Sequence, residues 1–329
     1  MSTSKFAFAG RRSLAQEETA QPVSSIKETL VIFSKNKGAV AAAVIILVLV
    51  ILAVIGPHLN QYTYDYVQID RQNLPPRIPG LEKLGIFDGT LKGVNMYEAK
   101  GCLEEYYWFG TDSLGRDLFT RLWQGTRISL IVAVVSALLD LLIGVTYGLI
   151  SGYYGGRLDL IMQRITEVIH SIPSLVVVSL LIIVIHPGLF SIILAMTISG
   201  WIDMSRLVRA NTLRLKASEH ILASRTLGTK IPVILFREIF PNLLNSVIVM
   251  AMMSIPTAIF TESFLSFVGL GIPAPQASLG SLINDGYGKM TIYPYQAAIP
   301  VVVFALLMIS LNLAGDGLRD ALDPKQKRM

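Results

Sequence analysis

Long apolar stretches alternate with short polar ones along this chain. A helix needs about 20 mostly apolar residues to cross a hydrocarbon core of roughly 30 Å, because it rises 1.5 Å per residue. Six stretches meet that requirement, so the pattern predicts an all-α polytopic membrane protein with six transmembrane helices. The predicted spans are 38–56, 128–150, a third that ends at 185, 189–207, 244–261 and 297–314.

Breaks in the apolar pattern mark the limits of these spans. The third span starts near either Leu160 or Val168. The tripeptide 186–188 (His-Pro-Gly) predicts a tight turn after it, since Pro and Gly both stop helices. Pro256 predicts a kink in the fifth span, and Asp140 is the one charge that interrupts the second.

Positive charges indicate how the spans are oriented. If the N-terminus is cytoplasmic, the inner segments contain 19 of the 28 Lys and Arg residues. The loop 262–296 has one, and the other eight lie in the loop 57–127, which exceeds the length at which the positive-inside rule applies. This bias predicts cytoplasmic N- and C-termini. Arg116, Arg121 and Arg127 oppose it, because they directly precede the second span on the outer side.

Composition supports the membrane assignment and narrows the chemistry. Of the 329 residues, 52% are hydrophobic and only 16% are charged, whereas soluble domains carry about 25% charged residues. The net charge of +5 is explained by cytoplasmic loops, so membrane lipid is an expected partner and nucleic acid is not. The single cysteine, Cys102, excludes an intrachain disulfide framework and a Cys-rich metal site.

Two polar regions fall outside the predicted spans. The tail 1–37 shows no periodicity and no cleavable signal, and is predicted to be disordered or to lie on the surface. The loop 57–127 is too long for a connector, and we expect its residues 57–108 to form a small extracytoplasmic subdomain. Its aromatic run 106–109 (Tyr-Tyr-Trp-Phe) fits either a belt at the membrane interface or a docking surface for a partner.

The sequence contains none of the common catalytic or nucleotide-binding motifs. There is no G-x-x-x-x-G-K-[ST] phosphate loop, no H-E-x-x-H and no G-x-S-x-G. The four histidines are scattered without ligand spacing, and His170 is interpreted as a structural histidine at a helix start. We therefore expect a non-catalytic chain with no catalytic residue, metal or cofactor of its own. Its energy would come from a gradient or from a partner.

A short segment between spans four and five carries the functional hypothesis. Ser218 is a favoured N-cap residue, Glu219 and Arg225 complement the dipole at the two helix ends, and Gly228 is a natural stop. The predicted helix is about nine residues, or roughly 13 Å, long and cannot span a membrane. On the cytoplasmic side it fits either a docking surface for a partner protein or a helix at the headgroup level.

This segment resembles the coupling loop, or EAA pattern, of ABC importer permeases. In that family a short Ala-rich helix is followed by Gly, with Pro thirteen residues later, and Gly228 and Pro241 have that spacing. The segment departs from the pattern at 222–224, where Leu-Ala-Ser stands for Glu-Ala-Ala, and the nearest acid is Glu219. The resemblance implies a contact with an ATPase subunit. The residues it assigns to coupling are Glu219, Ile221, Leu222, Ala223, Ser224, Arg225, Leu227, Gly228 and Pro241.

Four further blocks are similar to the dipeptide, oligopeptide and nickel permeases, and most closely to the C-type subunit of oligopeptide permeases. Together they cover most of the chain from Phe109 onward, in the family's order, whereas 57–108 lies outside them. The blocks are GTDSLGRD (110–117), WIDMSRLVR (201–209), ESFLSFVGLG (262–271) and GDGLRDALDP (315–324).

The resemblance implies the type I ABC importer permease architecture with a small extracytoplasmic insertion. A core at 128–315 would contain the coupling helix at 218–228 and precede a cytoplasmic tail at 316–329. The implied complex imports oligopeptides across the bacterial plasma or inner membrane. Its other parts are a second homologous permease subunit, two cytoplasmic ATPase subunits that bind ATP and Mg²⁺, and an extracytoplasmic peptide-binding protein. Dipeptide or nickel import by the same family is the alternative.

A gradient-driven secondary transporter is the competing class. Such proteins often carry several intramembrane ionisable residues and paired broken helices. Here only Asp140 falls at mid-span, and no second half of the chain repeats the first. Asp140 itself fits two roles. It is either a residue of the translocation path that meets a peptide ammonium group, or an acid that is satisfied by a neighbouring hydroxyl or by the partner subunit, or that is displaced toward the membrane edge.

Overall fold

The computed structural model describes residues 26–322, which are almost entirely helical. Five helical runs are long and apolar enough to cross a membrane, and a bent helix pair can count as a sixth. The all-α polytopic prediction is confirmed. The helices are α1 Ile26–Lys35, α2 Lys37–Ile55, α3 Met96–Ala99, α4 Leu118–Tyr154, α5 Gly156–Ser171, α6 Ser174–Ile185, α7 Leu189–Leu215, α8 Glu219–Thr226, α9 Ile231–Val233, α10 Phe240–Phe267, α11 Leu279–Tyr287 and α12 Tyr295–Leu322.

The third predicted span is not a straight helix. It consists of α5 and α6, which are bent by 82° at the break between them. Ile172 has an extended backbone, with ψ 123°, because the following Pro173 disfavours the α conformation of the residue before it. α5 begins at Gly156, four residues before the nearer of the two predicted starts, Leu160.

Other helix limits also differ from the predicted ones. α4 begins well before residue 128, because the Asp117 carboxyl group accepts a hydrogen bond from the N–H of Thr120 and caps the helix. The described part of the predicted tail forms α1, and its remainder lies outside the described residues. In the fifth span, a π-helical segment, Ile234–Ile239, joins α9 to α10, and the run Ile231–Phe267 continues through Pro256.

Two apolar clusters fill the helical bundle. One joins α2, α4, α10, α11 and α12 and includes Trp123, Ile259 and Leu307. The other joins α4, α7 and α10 to α8 and includes Leu149 and Val208. The first turns of α4 contribute to the former and its last turns to the latter. The bundle therefore has a subdomain end, where α4 begins, and an α8 end, where α4 finishes.

The predicted small subdomain is present ahead of α4. A two-stranded antiparallel hairpin, β1 Thr90–Leu91 and β2 Val94–Asn95, leads into α3, and short 3-10 turns precede it in the chain. Burial raises the pKa of the Cys102 thiol above its ordinary value. Four buried side chains form the core of the subdomain: Leu74, Tyr97, Cys102 and Tyr107.

The aromatic run 106–109 packs against other side chains instead of forming an open surface. The ring of Tyr107 stacks on that of Tyr62, with centroids 4.4 Å apart. Trp108 and Phe109 both contact the ring of Phe119 in α4 edge to face. The run therefore joins the subdomain to α4, and the two roles expected for it, a belt at the membrane interface and a docking surface, stay predictions.

Tight turns and ion pairs hold the subdomain on the start of α4. Gly110 and Gly115 have φ of 79° and 74°, and a Cβ at either would collide with a backbone carbonyl of the subdomain. Between them, Asp112 accepts a 2.7 Å hydrogen bond from the Arg116 guanidinium and lies 3.5 Å from that of Arg121. Two of the arginines that opposed the predicted orientation are thus buried beside a carboxylate.

A row of glycines lets α4 and α7 pack closely. Gly144, Gly148 and Gly152 recur every four residues on α4, and a Cβ on any of them would overlap atoms of α7. At Gly148 the added carbon would lie 2.5 Å from the carbonyl oxygen of Ser205 and 2.8 Å from Cβ of Val208. Small residues that let two backbones approach are typical of helix pairs in membranes. We therefore expect α4 and α7 to move together.

Candidate coupling site

The predicted coupling helix is present as α8, Glu219–Thr226, which has eight residues. Ser218 stands at the N-cap position, but its hydroxyl donates to the carbonyl of Leu215 at 2.5 Å instead of capping the helix. Gly228 has a φ of 80°, and its N–H donates to the carbonyl of Arg225. The helix and its glycine stop are therefore where the sequence placed them, whereas the predicted capping by the Ser218 side chain is wrong.

Ile221 fixes α8 to the rest of the chain. Its side chain is 1% exposed and belongs to the apolar cluster at this end of the bundle. The predicted direct contact of Ile221 with an ATPase is therefore wrong, because the side chain is already buried within this chain. The other buried members of the cluster come from α4, α7, the π segment and α10: Val145, Leu149, Met204, Val208, Ile234, Leu235, Ile239, Leu243 and Val247.

The opposite side of α8 is open. Leu227, directly after the last turn, is 86% exposed, and the charged residues at the two helix ends are exposed as well. Ser224 is half-buried. Anchored on one side and bearing leucines and charges on the other, α8 is suited to bind a partner protein. The exposed members of the predicted set are Glu219, Leu222, Ala223, Arg225, Leu227 and Gly228.

The π-helical segment lies against the buried side of α8 and leads into α10. Its residues Ile234 and Ile239 pack in the same cluster as Ile221. Pro241 is the second residue of α10 and has no N–H to donate to the carbonyl of Arg237, so one α-helical hydrogen bond is missing here. π turns occur frequently at functional sites. Pro241 is half-buried and shapes the start of α10 instead of forming part of the open face.

Asp140 lies on α4 opposite Gly200 of α7. Its side chain is half-buried, and a Cβ on Gly200 would overlap its carboxyl group. The buried oxygen Oδ1 has no hydrogen-bond partner among residues 26–322, so no neighbouring hydroxyl of the described chain satisfies it. Because Gly200 is exposed, this carboxyl group lies close to the surface of the α4–α7 pair. It is separate from α8, which packs in the cluster around Ile221.

Within the described part of the chain, His, Cys, Asp and Glu side chains form no group of three that could hold a metal ion. The two predicted sites are thus the helix α8, which has one buried and one open side, and the carboxyl group of Asp140, whose oxygen Oδ1 is buried without a partner in the described chain.

Comparison with known proteins identifies the family. A family model described as "Binding-protein-dependent transport system inner membrane component" matches residues 144–328, more than half of the chain. The chain belongs to this family. A second family model, described as "N-terminal TM domain of oligopeptide transport permease C", matches residues 24–76. The resemblance inferred from the sequence blocks is confirmed.

Relatives of this importer permease match it over nearly their whole length. It is 42% identical to the oligopeptide transport system permease protein OppC of Bacillus subtilis (strain 168) over 314 residues, which cover 95% of this chain and 94% of the relative. It is 44% identical to the dipeptide transport system permease protein DppC of the same organism over 295 residues, which cover 89% and 84%.

A solved structure supports the ABC importer permease fold. The chain resembles a chain of the inward-facing MetNI methionine ABC transporter with a TM-score of 0.51 and 20% identity. The match covers 62% of this chain and 96% of the other. The predicted ABC importer architecture is confirmed for that part, and the importer permease is a multi-pass membrane protein.

Sequence reasoning missed two polar contacts in the importer permease. Arg209 pairs with Asp159, and the buried Glu262 accepts a hydrogen bond from Ser129. Arg209 ends one of the blocks that resemble the family and Glu262 begins another, so the sequence did mark both residues. Their partners are 50 and 133 residues away in the chain, a distance that no local pattern can bridge.

Proposed function

We propose that this permease imports oligopeptides as one of two membrane-spanning subunits of an ATP-driven importer. The family match and the 42% identity to an oligopeptide transport permease support this assignment. The peptide would pass along the interface with a second, homologous permease subunit. Two cytoplasmic ATPase subunits would bind ATP and Mg²⁺, and an extracytoplasmic protein would deliver the peptide. This chain would take no part in catalysis and hold no cofactor.

The proposed orientation places both termini and α8 in the cytoplasm and the subdomain outside a bacterial plasma or inner membrane. The bias of Lys and Arg toward the α8 end supports it. The burial of Arg116 and Arg121 beside Asp112 removes much of the charge that opposed this orientation.

The single observation that carries the coupling hypothesis is the two-sided character of α8. Ile221 is buried on one side, and Leu222 and Leu227 are exposed on the other. Closure of the ATPase pair on ATP would displace α8, and the cluster around Ile221 would pass that displacement to α4, α7 and α10. The permease would then change from inward- to outward-facing, as a two-state element biased by a ligand that prefers one state.

Three substitutions to aspartate test the docking, two on the open side of α8 and one control elsewhere. Leu227→Asp places a charge on the open side of α8, and we expect copurification of the ATPase subunits to fall about tenfold or more, because an unpaired charge is buried in the interface. Ala223→Asp should act in the same way. Leu84→Asp, at an exposed leucine of the subdomain, should leave copurification unchanged. Normal assembly, peptide-controlled ATP hydrolysis and normal import by Leu227→Asp and Ala223→Asp would contradict the proposal.

Gly228 tests whether the turn after α8 matters. Its φ of 80° disfavours a side chain by about 1 kcal/mol, although no atom lies within 4 Å of an added Cβ. We expect Gly228→Val to impair peptide import while the protein remains in the membrane. Gly288→Val is the control, because that position also has open space but an ordinary φ of −60°. Equal import by both variants would exclude a role for this turn.

Asp140 is proposed to lie on the translocation path, where its carboxyl group would meet a peptide ammonium group. The buried oxygen without a partner supports this role, since an intramembrane acid is expensive and seeks a counter-charge. We expect Asp140→Asn to lower peptide uptake without loss of complex assembly, and Thr146→Val, at an exposed position on the same helix, to have no effect. If Asp140→Asn takes up peptides of differing charge as well as the unmodified protein does, Asp140 has no role on the translocation path.

Dipeptide import is the second candidate function. The 44% identity to a dipeptide permease favours it. Competition of dipeptides, longer peptides and Ni²⁺ for uptake by cells that carry the complete transporter separates the possibilities. Inhibition by longer peptides supports oligopeptide import, whereas inhibition by dipeptides or by Ni²⁺ alone reassigns the substrate.

A further inference from the structure

An ion pair lies at the α8 end of the bundle, outside the predicted sites. Asp159 on α5 faces Arg209 on α7, and both nitrogens Nε and Nη2 of the arginine donate to the two carboxyl oxygens at 2.6 Å. The aspartate side chain is 13% exposed and the arginine side chain 29%. Such a two-pronged, charge-assisted contact fixes the distance between the groups and also their relative angle.

Further hydrogen bonds tie the same point to α4. The Ser151 hydroxyl on α4 donates to Oδ1 of Asp159 at 2.5 Å, and Gln163 of α5 donates to the Ser151 oxygen at 3.2 Å. The Lys216 ammonium group donates to the carbonyls at 152 and 153, in the last turn of α4. Since Lys216 lies two residues before Ser218, the contacts end directly where α8 begins. Three helices, α4, α5 and α7, are therefore joined immediately ahead of the coupling helix.

Helix α5 depends on this point more than the other helices do. α4, α7 and α10 all share the apolar cluster around Ile221, and α6 packs on α7 and α10 through a separate cluster of Val178, Ala195 and Leu265, whereas α5 belongs to neither cluster. Among residues 26–322, Asp159–Arg209 is the one ion pair that joins α5 to another helix. The other polar links of α5 to α4 are the contacts at Ser151 and a 2.7 Å hydrogen bond from the Tyr147 hydroxyl to the Met162 carbonyl. A displacement of α8 therefore reaches three helices through apolar packing and reaches α5 through polar contacts.

We propose that Asp159 and Arg209 are a positioning pair that transfers the displacement of α8 to α5, the first helix of the bent unit. This inference rests on the proposed function, in which α8 receives the motion of the ATPases. The pair touches neither peptide nor nucleotide. Its part is to make α5 follow α7, so that the permease changes state as one body. Without the pair, α8 and the cluster around Ile221 would still move, but α5 would lag.

The test uses the complete complex, purified with its ATPase subunits and reconstituted in liposomes. Asp159→Asn and Arg209→Gln remove one charge each, and Asp159→Arg combined with Arg209→Asp exchanges them. Measured quantities are ATPase copurification, ATP hydrolysis and peptide imported per ATP. We expect each single variant to keep its ATPases and its hydrolysis but to lose about tenfold in peptide imported per ATP. The exchange variant should recover most of that loss.

Three outcomes overturn the proposal. One is normal import per ATP by both single variants. Another is assembly of the exchange variant without recovery of import. The third is failure of all variants to assemble, because a pair that only transfers motion leaves assembly intact. Failure of the proposed function would give a different result. The unmodified permease would then purify without ATPase subunits, or would import peptide without ATP.

Discussion

The Ser129 hydroxyl on α4 donates a 2.7 Å hydrogen bond to Oε2 of Glu262 on α10, a side chain with no exposed surface. Ser266 donates to the other oxygen of Glu262 at 2.8 Å. The Ser129 oxygen in turn accepts the N–H of Leu279, the first residue of α11, at 3.2 Å. One buried acid thus connects α4, α10 and α11 toward the subdomain end of the bundle, through serine hydroxyl groups and one backbone N–H.

Removing this acid should weaken the bundle. We expect Glu262→Ala to lower the free energy of unfolding by about 1–3 kcal/mol, because buried hydroxyl donors lose their acceptor. Glu262→Gln keeps an acceptor oxygen and should lose less. Thermal unfolding of the purified chain in detergent measures both, with Glu98→Ala, at an exposed acid, as the control. An unfolding midpoint of Glu262→Ala equal to that of the unmodified chain would show that this contact contributes nothing.

The glycine row makes a second prediction. Gly148→Val should force α4 and α7 apart, because the first added carbon already overlaps the α7 backbone at the Ser205 carbonyl. We expect a loss of about 1–3 kcal/mol in stability and reduced assembly. Leu142→Val changes an exposed position of the same helix and should be near neutral. The unfolding midpoint in detergent and the yield of assembled complex are the measurements.

The only thiol makes a third prediction. Cys102 is 4% exposed, and burial raises its pKa, so little thiolate is available for reaction near neutral pH. We expect a membrane-impermeant maleimide to label intact cells poorly and to label the protein only after unfolding. Leu103→Cys in a Cys102→Ser chain moves the thiol to a position that is 49% exposed in the leucine and should label rapidly from outside. Labelling of the Leu103→Cys thiol from the cytoplasmic side alone would reverse the proposed orientation.

The two sides of α8 make a fourth prediction. Ile221→Ala should cost about 2–5 kcal/mol of stability, as expected for a large side chain removed from a packed core. Leu222→Ala, at an exposed neighbour, should leave the stability of the isolated permease unchanged and instead weaken ATPase copurification. Comparing the unfolding midpoint of the isolated chain with ATPase copurification separates the two effects. If both substitutions affect the same quantity, the assignment of an inner and an outer side is wrong.

Much of the bundle could be predicted because its strongest signal is local. Apolar length alone located the five long helical runs, and Gly228 marked the end of α8 because a left-handed turn favours glycine. The side of α8 that faces inward could not be predicted the same way. Ile221 and Leu222 are adjacent and equally apolar, and only the distant residues packed against α8 decide which of them is buried.

Contacts between distant residues account for most of what the sequence did not show. The carboxyl group of Asp159 contacts Arg209 because α5 and α7 pack side by side, and the sequence does not show that packing. The bend after α5 is a different case, since Pro173 was visible in the sequence. The continuous apolar character of the stretch beyond it masked the break, because hydropathy measures how readily a segment enters lipid and not whether it is straight.

The continuity of α4 has a consequence for how this sequence can change over time. Its 37 residues form one helix of about 55 Å, which exceeds the roughly 30 Å of a hydrocarbon core, so it projects beyond the core at one or both faces. Arg121 near its start lies beside Asp112, and Ser151 near its end contacts Asp159. Inserting or deleting one residue between them would rotate one end by about 100° relative to the other. The lipid-facing side chains of α4 can therefore change in type. The number of residues between Arg121 and Ser151 cannot change without turning one of these side chains away from its partner.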